Sequence, residues 1–100
     1  MSHKIETIAK QFKQTVANKY KIIEIKLFGS SARGNYSTQS DIDIMVKLQK
    51  VNREIEEDIF NIAYDLELEH DCVIDVIVLG KNSNNSSPIY QNIEKEGVAI

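Results

Sequence analysis

Three short runs rich in β-branched residues are separated by segments with the periodicity of helices. The runs cover residues 22–28, 41–47 and 73–79. Runs of this length and composition predict strands, and apolar residues at steps of three and four between them predict amphipathic helices. The order α-β-α-β-α-β-α, with a short second helix, predicts a small α/β (α+β) fold. Its sheet would have three or more strands, with helices packed on one side.

Each predicted helix has a boundary signal. Ser2 can cap the first helix and Asn52 can cap the long third one. The apolar faces of these two helices are Ile5, Ile8, Phe12 and Val16, and then Ile55, Ile59, Ile62, Ala63 and Leu66. Residues 30–34 predict a short helical turn, and Pro88 predicts the start of a last helix that Gly97 can end.

Length and composition limit the class of protein. One hundred residues, 42% of them hydrophobic, indicate a single domain over residues 1–100 with one core. A net charge of -3 argues against a protein that clamps the nucleic-acid backbone, because that task usually needs a basic face. No apolar stretch reaches the ~18 residues that span a membrane, and the N-terminus lacks the apolar core of a signal peptide. We therefore expect a soluble, cytoplasmic protein with no membrane partner and no direct nucleic-acid binding.

Charge is unevenly distributed along the chain. Residues 1–26 contain six Lys against Glu6 and Glu24, whereas residues 54–75 contain nine acids and neither Lys nor Arg. Two solvated helix faces of opposite sign would account for this distribution, and so would a docking surface for a charged partner. The apolar end of the sequence, residues 98–100, also suits a docking surface.

Two carboxylates begin the second predicted strand. Because side chains alternate between the faces of a strand, Asp41 and Asp43 share one face, and the apolar residues after each share the other. We expect the apolar face to pack under helices and the Asp pair to stand on the open face, with Cα atoms roughly 6 to 7 Å apart. Carboxylates this close repel unless a cation lies between them, and Mg²⁺ prefers carboxylate, water and phosphate oxygens. Alternatively, both Asp residues are cap and turn residues at a strand edge.

A third carboxylate, Asp75, interrupts the otherwise apolar third strand. A buried carboxylate without a partner costs several kcal/mol, so Asp75 needs a partner side chain or a metal ion. If the third strand neighbours the second, Asp75 completes a cluster of three carboxylates with Asp41 and Asp43. A salt bridge to a nearby Lys or Arg is the alternative for Asp75. Asp71 has the same parity but lies at the edge of the strand.

Gly29 and Ser30 end the first predicted strand, immediately before the short helical turn. Such a turn points backbone N–H groups into the space beyond the strand and forms a seat for phosphate. The hydroxyl of Ser30 can donate to the phosphate, and the guanidinium of Arg33 can pair with its oxygens. This is not a Walker A loop, because Asn35 and Tyr36 stand where Lys and Ser or Thr are required.

The pattern of Gly-Ser, ten residues, and then Asp-Ile-Asp resembles the signature of the DNA polymerase β-like nucleotidyltransferase superfamily. The fuller stretch GSSARGNYSTQSDIDI (residues 29–44) is similar to the minimal nucleotidyltransferases, which include the antitoxins of HEPN/minimal nucleotidyltransferase toxin–antitoxin pairs. Asp75 lies on a later strand, as the family requires, and the element order fits over essentially the whole chain. The resemblance implies the small nucleotidyltransferase fold with a mixed sheet.

The resemblance also implies a metal site and its role. Asp41 and Asp43 would hold two Mg²⁺ ions. Asp75 would hold one of them and help to deprotonate the acceptor hydroxyl. Two-metal catalysis of this kind activates the nucleophile and stabilises the leaving oxygens.

The nucleotide site implied by the resemblance lies beside the metals. Gly29 and Ser30 would bind the triphosphate of ATP or another NTP, with Arg33 assisting. The reaction would be in-line attack on the α-phosphate, which gives a nucleotidyl product and pyrophosphate.

The partner implied by the resemblance is a helical HEPN-domain protein, often an RNase toxin. The family member acts as antitoxin and, in at least some systems, transfers AMP to a tyrosine of that toxin. A hetero-oligomer is therefore expected. Two alternatives are an antitoxin that acts by binding alone and a small-molecule nucleotidyltransferase of the aminoglycoside-modifying kind. The short chain disfavours the latter, since no acceptor pocket is evident.

Overall fold

Two long helices and a four-stranded sheet make up most of the part of the chain that the structure describes. The structure is a computed structural model that describes residues 3–28, 42–81, 91, 95 and 97–100. The helices are α1 (His3–Lys19) and α2 (Arg53–His70), and the strands are β1 (Ile22–Phe28), β2 (Ile42–Leu48), β3 (Ile74–Gly80) and β4 (Val98–Ala99).

The predicted elements agree closely with the observed ones. The bounds predicted for the first strand are those of β1, and those of β2 and β3 are shifted by one residue. Gln91 and Lys95 are helical, in agreement with a helix after Pro88. The predicted cap Ser2 and the predicted turn at residues 30–34 lie outside the described residues.

The sheet is mixed, with strand order β3-β2-β1-β4. β1 runs antiparallel to both of its neighbours, β2 and β4. β2 and β3 run parallel, and the chain between them contains α2. Parallel neighbours need a crossover of this kind, because a tight turn reverses the direction of the chain.

The hydrophobic core lies between the two helices and one face of the sheet. Its buried members are Ile5, Ile8, Ala9, Phe12 and Val16 from α1, Ile25, Leu27, Ile42, Ile44, Val46, Leu48 and Ile74 from the strands, and Ile59, Ile62, Ala63 and Leu66 from α2. Alternate residues of β1 and β2 therefore face the helices, as the period of a strand requires. The two predicted helical faces are confirmed, although Ile55 is only partly buried.

Both ends of α2 are capped. The side-chain oxygen of Asn52 accepts a hydrogen bond from the backbone N–H of Ile55 at 2.9 Å, which confirms the predicted N-cap. At the other end, Asp71 adopts a left-handed conformation with φ 52°, and its N–H donates to the carbonyl of Glu67. Asp71 is thus a helix cap outside β3, which removes it as the competing carboxylate of that strand.

The fourth strand is not among the sequence predictions. Val98 and Ala99 pair antiparallel with Leu27 and Lys26 of β1. Next to them, the ammonium of Lys13 donates to the backbone oxygen of Ile100 at 2.7 Å. The apolar end of the sequence, which we interpreted only as a docking surface, is therefore also part of the sheet. Two residues are too few for a strand period, so only pairing with β1 defines this element.

The basic and acidic segments meet where α1 ends. The carboxylate of Asp58 on α2 accepts from the hydroxyl of Tyr20 at 2.5 Å and from the ammonium of Lys19 at 3.2 Å. The hydrogen bond from Tyr20 and, to a lesser extent, the ammonium of Lys19 lower the pKa of Asp58, against an opposing effect of desolvation. The same hydrogen bond is the main cause of a raised pKa for Tyr20. Part of the uneven charge distribution is therefore explained by an ion pair within the molecule, between the end of α1 and α2.

We expect Asp58→Asn to be less stable than the wild type at pH 7 and to approach it as the pH falls. The folded state lowers the pKa of Asp58, so this carboxylate stabilises the fold above its unfolded-state pKa, about 3.9. That stability is lost as the pH falls through the lower, folded-state pKa. Urea unfolding at a series of pH values between 7 and about 2.5 measures the difference. The exposed Asp65→Asn is the control and should follow the wild-type curve. A constant difference between Asp58→Asn and the wild type across this range would contradict the prediction.

Candidate functional site

Two of the three predicted site carboxylates lie side by side in the sheet. Asp43 of β2 and Asp75 of β3 are directly paired in the parallel register. Neighbouring strands lie about 4.8 Å apart, and paired residues point their side chains to the same face. The condition that we attached to Asp75, that its strand should neighbour the second one, is therefore met.

The shared face is the one turned away from the helices. Ile42 and Ile44, on either side of Asp43, are buried in the core, so Asp43 points to the opposite face. Asp43 is partly buried and Asp75 is exposed. Asp43 thus lies on an interior strand and Asp75 on the edge strand β3, and a ligand can reach the pair from solvent.

This second face of the sheet is less open than we expected. Met45, two residues beyond Asp43 on the same face, is fully buried at 0% exposure and is not part of the core under the helices. Its position is paired with Lys26 on one side and Ile77 on the other. The alternation of β2 alone suggested an open surface, because the pattern of one strand shows which side chains share a face and not what packs on that face.

The end of β1 lies against the same carboxylate. Phe28, the last residue of β1, is paired with Asp43 in the antiparallel register. Gly29 and Ser30, the predicted phosphate seat, are the next two residues of the sequence. With Arg33 and Asp41 they lie outside the described residues, so these four assignments stay predictions.

The donor set of the described pair fits a hard divalent cation. Two carboxylates on one face of adjacent strands concentrate negative charge, and a cation between them relieves the repulsion. Oxygen donors of this kind are the ligands that Mg²⁺ prefers. Among the residues that the structure describes, no three His, Cys, Asp or Glu side chains are grouped closely enough to hold a metal ion together. The predicted third ligand, Asp41, lies outside the described residues.

A cleft of about 450 Å³ runs between α2 and the edge of β3 and reaches Asp75. Its walls are Phe60, Asn61, Ala63, Tyr64 and Glu67 from α2, and Ile74, Asp75 and Val76 from β3. Phe60 and Tyr64 were missed by the sequence analysis, which considered only the core-facing stripe of this helix. Their spacing of four residues, on a different side of the helix from the core stripe, was the available signal.

No helix in the described ranges has the length and hydropathy that crossing a membrane requires.

A family model and a sequence relative both match this chain over nearly its whole length. The family model described as the nucleotidyltransferase domain matches residues 9–100. A relative from Methanocaldococcus jannaschii, named as a candidate protein adenylyltransferase, is 32% identical over 96 residues, which cover 96% of this chain and 94% of that protein.

Solved structures share the fold over nearly the whole chain. One is a toxin–antitoxin crystal structure with AMP-PNP, which has a TM-score of 0.69 and 24% identity and covers 95% of this chain and 70% of that one. Another contains a tri-AMPylated Shewanella oneidensis HEPN toxin in complex with MNT antitoxin; the match has a TM-score of 0.64 and 20% identity and covers 99% of this chain and 71% of that one. The element order, the mixed sheet and the matched family model agree, and the chain belongs to the nucleotidyltransferase domain family.

Proposed function

We propose that residues 1–100 form a single nucleotidyltransferase domain that transfers AMP from ATP, with Mg²⁺, to a hydroxyl group. The acceptor we propose is a tyrosine of a HEPN-type toxin, so that the chain acts as an antitoxin in a hetero-oligomer with that protein. The observation that carries this proposal is the register of Asp43 with Asp75 on adjacent parallel strands. The two carboxylates share one face of the sheet, and Asp75 also lines the cleft beside α2. A pair of carboxylates of this kind suits the metal-dependent transfer of a nucleotidyl group.

Asp43 and Asp75, together with Asp41, would hold the Mg²⁺ ions. Bound Mg²⁺ supplies charge neutralisation at the transferred phosphoryl group and makes the acceptor hydroxyl more acidic. Asp75 is exposed beside the cleft and would accept the proton of the incoming hydroxyl. The acceptor oxygen would then form a bond to the α-phosphorus while the bond from that phosphorus to the β-bridging oxygen breaks, and pyrophosphate leaves.

Gly29, Ser30 and Arg33 would bind the phosphates that are not transferred. The pairing of Phe28 with Asp43 supports this assignment, because it brings the chain to the carboxylate pair immediately before Gly29. Backbone N–H groups and a guanidinium offset the charge that develops on pyrophosphate. This chain's contribution to the reaction is therefore mainly positioning and electrostatic stabilisation.

The names of the relatives support ATP as the donor and a HEPN-type protein as the partner. One structural relative is a toxin–antitoxin with AMP-PNP, an ATP analogue, and another is a HEPN toxin that carries AMP groups and is bound to an MNT antitoxin. A sequence relative is named as a candidate protein adenylyltransferase. All three names fit AMP as the transferred group and a protein as the acceptor.

The test incubates the purified chain with ATP labelled at the α-phosphate, Mg²⁺ and the HEPN-type protein of the same host. We expect the label to appear on a tyrosine of that protein, pyrophosphate to be released, and both products to be lost when EDTA removes the metal. Absence of label on the HEPN-type protein would overturn the proposed acceptor. Neutralisation of the toxin that persists in Asp43→Asn with Asp75→Asn would instead favour an antitoxin that acts by binding alone.

A further inference from the structure

An apolar stripe on α2 faces solvent. It consists of Phe60, Tyr64 and Leu68, which are 46%, 57% and 67% exposed. Residues four apart lie above one another on a helix, so the three side chains form one continuous row. The core-facing side of α2 is a different row, formed by Ile59, Ile62, Ala63 and Leu66. A surface helix with one buried apolar side normally has a polar opposite side, so this second apolar row requires an explanation.

The stripe continues into the cleft that Asp75 lines. Phe60 and Tyr64 form one wall of the cleft, and Ile74, Asp75 and Val76 form the other. β3 is the edge strand of the described sheet, and Val73, just before it, is 47% exposed. A partner that covers the stripe and extends across the edge of β3 would therefore reach Asp75, which lies on the face of the sheet turned away from the helices.

Acidic side chains border the stripe. Two of its members have an acid three residues away along α2: Glu57 for Phe60, and Glu67 for Tyr64, whose carboxylate also accepts from the backbone N–H of Ile74. Asp71, the cap of α2, follows Leu68 by three residues. Asp65 is a further exposed acid one turn before Leu68. Arg53 is the one Lys or Arg between residues 53 and 75, and it pairs with Glu57 at 3.2 Å between Nε and Oε1. The surface thus combines an apolar centre with a negative rim, which is the arrangement of many protein-binding patches.

We propose that this surface, defined by Phe60, Tyr64, Leu68 and the acids around them, docks the protein acceptor and presents its hydroxyl to Asp75. The acceptor would offer an apolar patch bordered by Lys or Arg, because only a basic border complements the acidic rim. The inference rests on the proposed function and adds to it the place at which the acceptor is recognised. Its physical basis is the continuity of the stripe with the cleft that holds Asp75.

A second copy of this chain is the less suitable occupant. In a two-fold dimer the same surface meets itself, so the acidic rims of two copies would be brought together without compensating charge. A contact between this surface and the Lys-bearing α1 of another copy would be complementary in charge. Such a head-to-tail contact leaves one surface open at each end, and it would be seen as self-association.

The test measures binding of the HEPN-type protein by calorimetry to the wild type, Leu68→Lys and Phe60→Lys. The control is Ile23→Lys, since Ile23 lies on β1, is 43% exposed and gives the same change in net charge. We expect each α2 variant to bind at least about tenfold more weakly and Ile23→Lys to stay within about twofold of the wild type. Wild-type affinity should also fall as salt is added. Circular dichroism checks that each variant is folded, and Leu and Lys have similar helix propensities.

The transfer reaction gives a second readout. With labelled ATP, the α2 variants should show a raised KM for the protein acceptor and a rate that recovers at saturating acceptor, as expected for lost docking rather than lost chemistry. Variants that bind and transfer like Ile23→Lys would overturn the docking surface while leaving the proposed function intact. A wild type that oligomerises alone in sedimentation, through the same residues, would assign the surface to self-association and also overturn the proposal. A wild type that neither binds nor labels the HEPN-type protein would overturn the proposed function, and the docking site with it.

Discussion

Asp43→Asn is expected to lower kcat for nucleotidyl transfer by about a thousandfold or more. The substitution keeps the size of the side chain and removes its charge, so one of the two paired carboxylates no longer attracts a divalent cation. Asp43 is partly buried between Phe28 of β1 and Asp75 of β3, so water has limited room to replace the missing oxygen ligand. Pyrophosphate release at saturating ATP and Mg²⁺ measures the effect.

Asp71→Asn is the matched control for this loss. Asp71 is an exposed carboxylate four residues before Asp75, and it caps α2 with a left-handed backbone, which Asn adopts as readily as Asp. We expect this variant to keep the wild-type kcat at saturating protein acceptor, because a charge lost from the proposed docking surface would raise only the KM for that acceptor. Urea unfolding of both variants should show an intact fold. An active Asp43→Asn enzyme would remove the carboxylate pair as the catalytic centre. Equal losses in both variants would point to a general effect of acidic charge near β3.

Phe12→Ala is expected to lower the free energy of unfolding by about 3 to 5 kcal/mol. Phe12 is the largest fully buried side chain in the described residues, at 0% exposure, and it lies in the core between α1 and the sheet. Its removal leaves a cavity as well as a loss of buried apolar surface. Because domains of this size are stable by about 5 to 15 kcal/mol, the loss is a large share of the total. Urea unfolding followed by circular dichroism measures it.

Phe60→Ala provides the comparison of the same substitution at an exposed position. Phe60 is 46% exposed on α2, and Ala has the higher helix propensity. We therefore expect a change of less than about 1 kcal/mol in the free energy of unfolding. If the two substitutions cost equal amounts, Phe60 would be part of the packed structure rather than of a docking surface.

Local chemistry made several elements predictable. The β-branched run at residues 22–28 became β1 with the same bounds, and the stripe on α1 became one wall of the core. Asn52 could be recognised as a cap because its side chain satisfies a backbone N–H three residues later, a contact that depends only on neighbouring residues. Each of these features is determined by residues close together in the sequence, within one strand or within one or two turns of a helix.

Other features depend on contacts between distant segments. A strand of two residues, Val98–Ala99, has no pattern of its own and exists through its pairing with β1. Met45 has the alternation of an outward-facing residue, yet it is fully buried in the folded chain. The spacing of Phe60, Tyr64 and Leu68 is visible in the sequence, whereas their exposure follows from how α2 packs on the sheet.

The sequence by itself determined the residue types of the predicted site: the carboxylates at positions 41, 43 and 75 and the Gly-Ser pair at positions 29 and 30. Only the tertiary structure decided that Asp43 and Asp75 meet, because their proximity requires that β2 and β3 be parallel neighbours in one particular register. A register shift of one residue would turn the carboxylate of one strand to the opposite face from that of the other. The physical reason is that strand alternation fixes the side of each residue within its own strand, whereas hydrogen bonding between strands fixes which residues stand together.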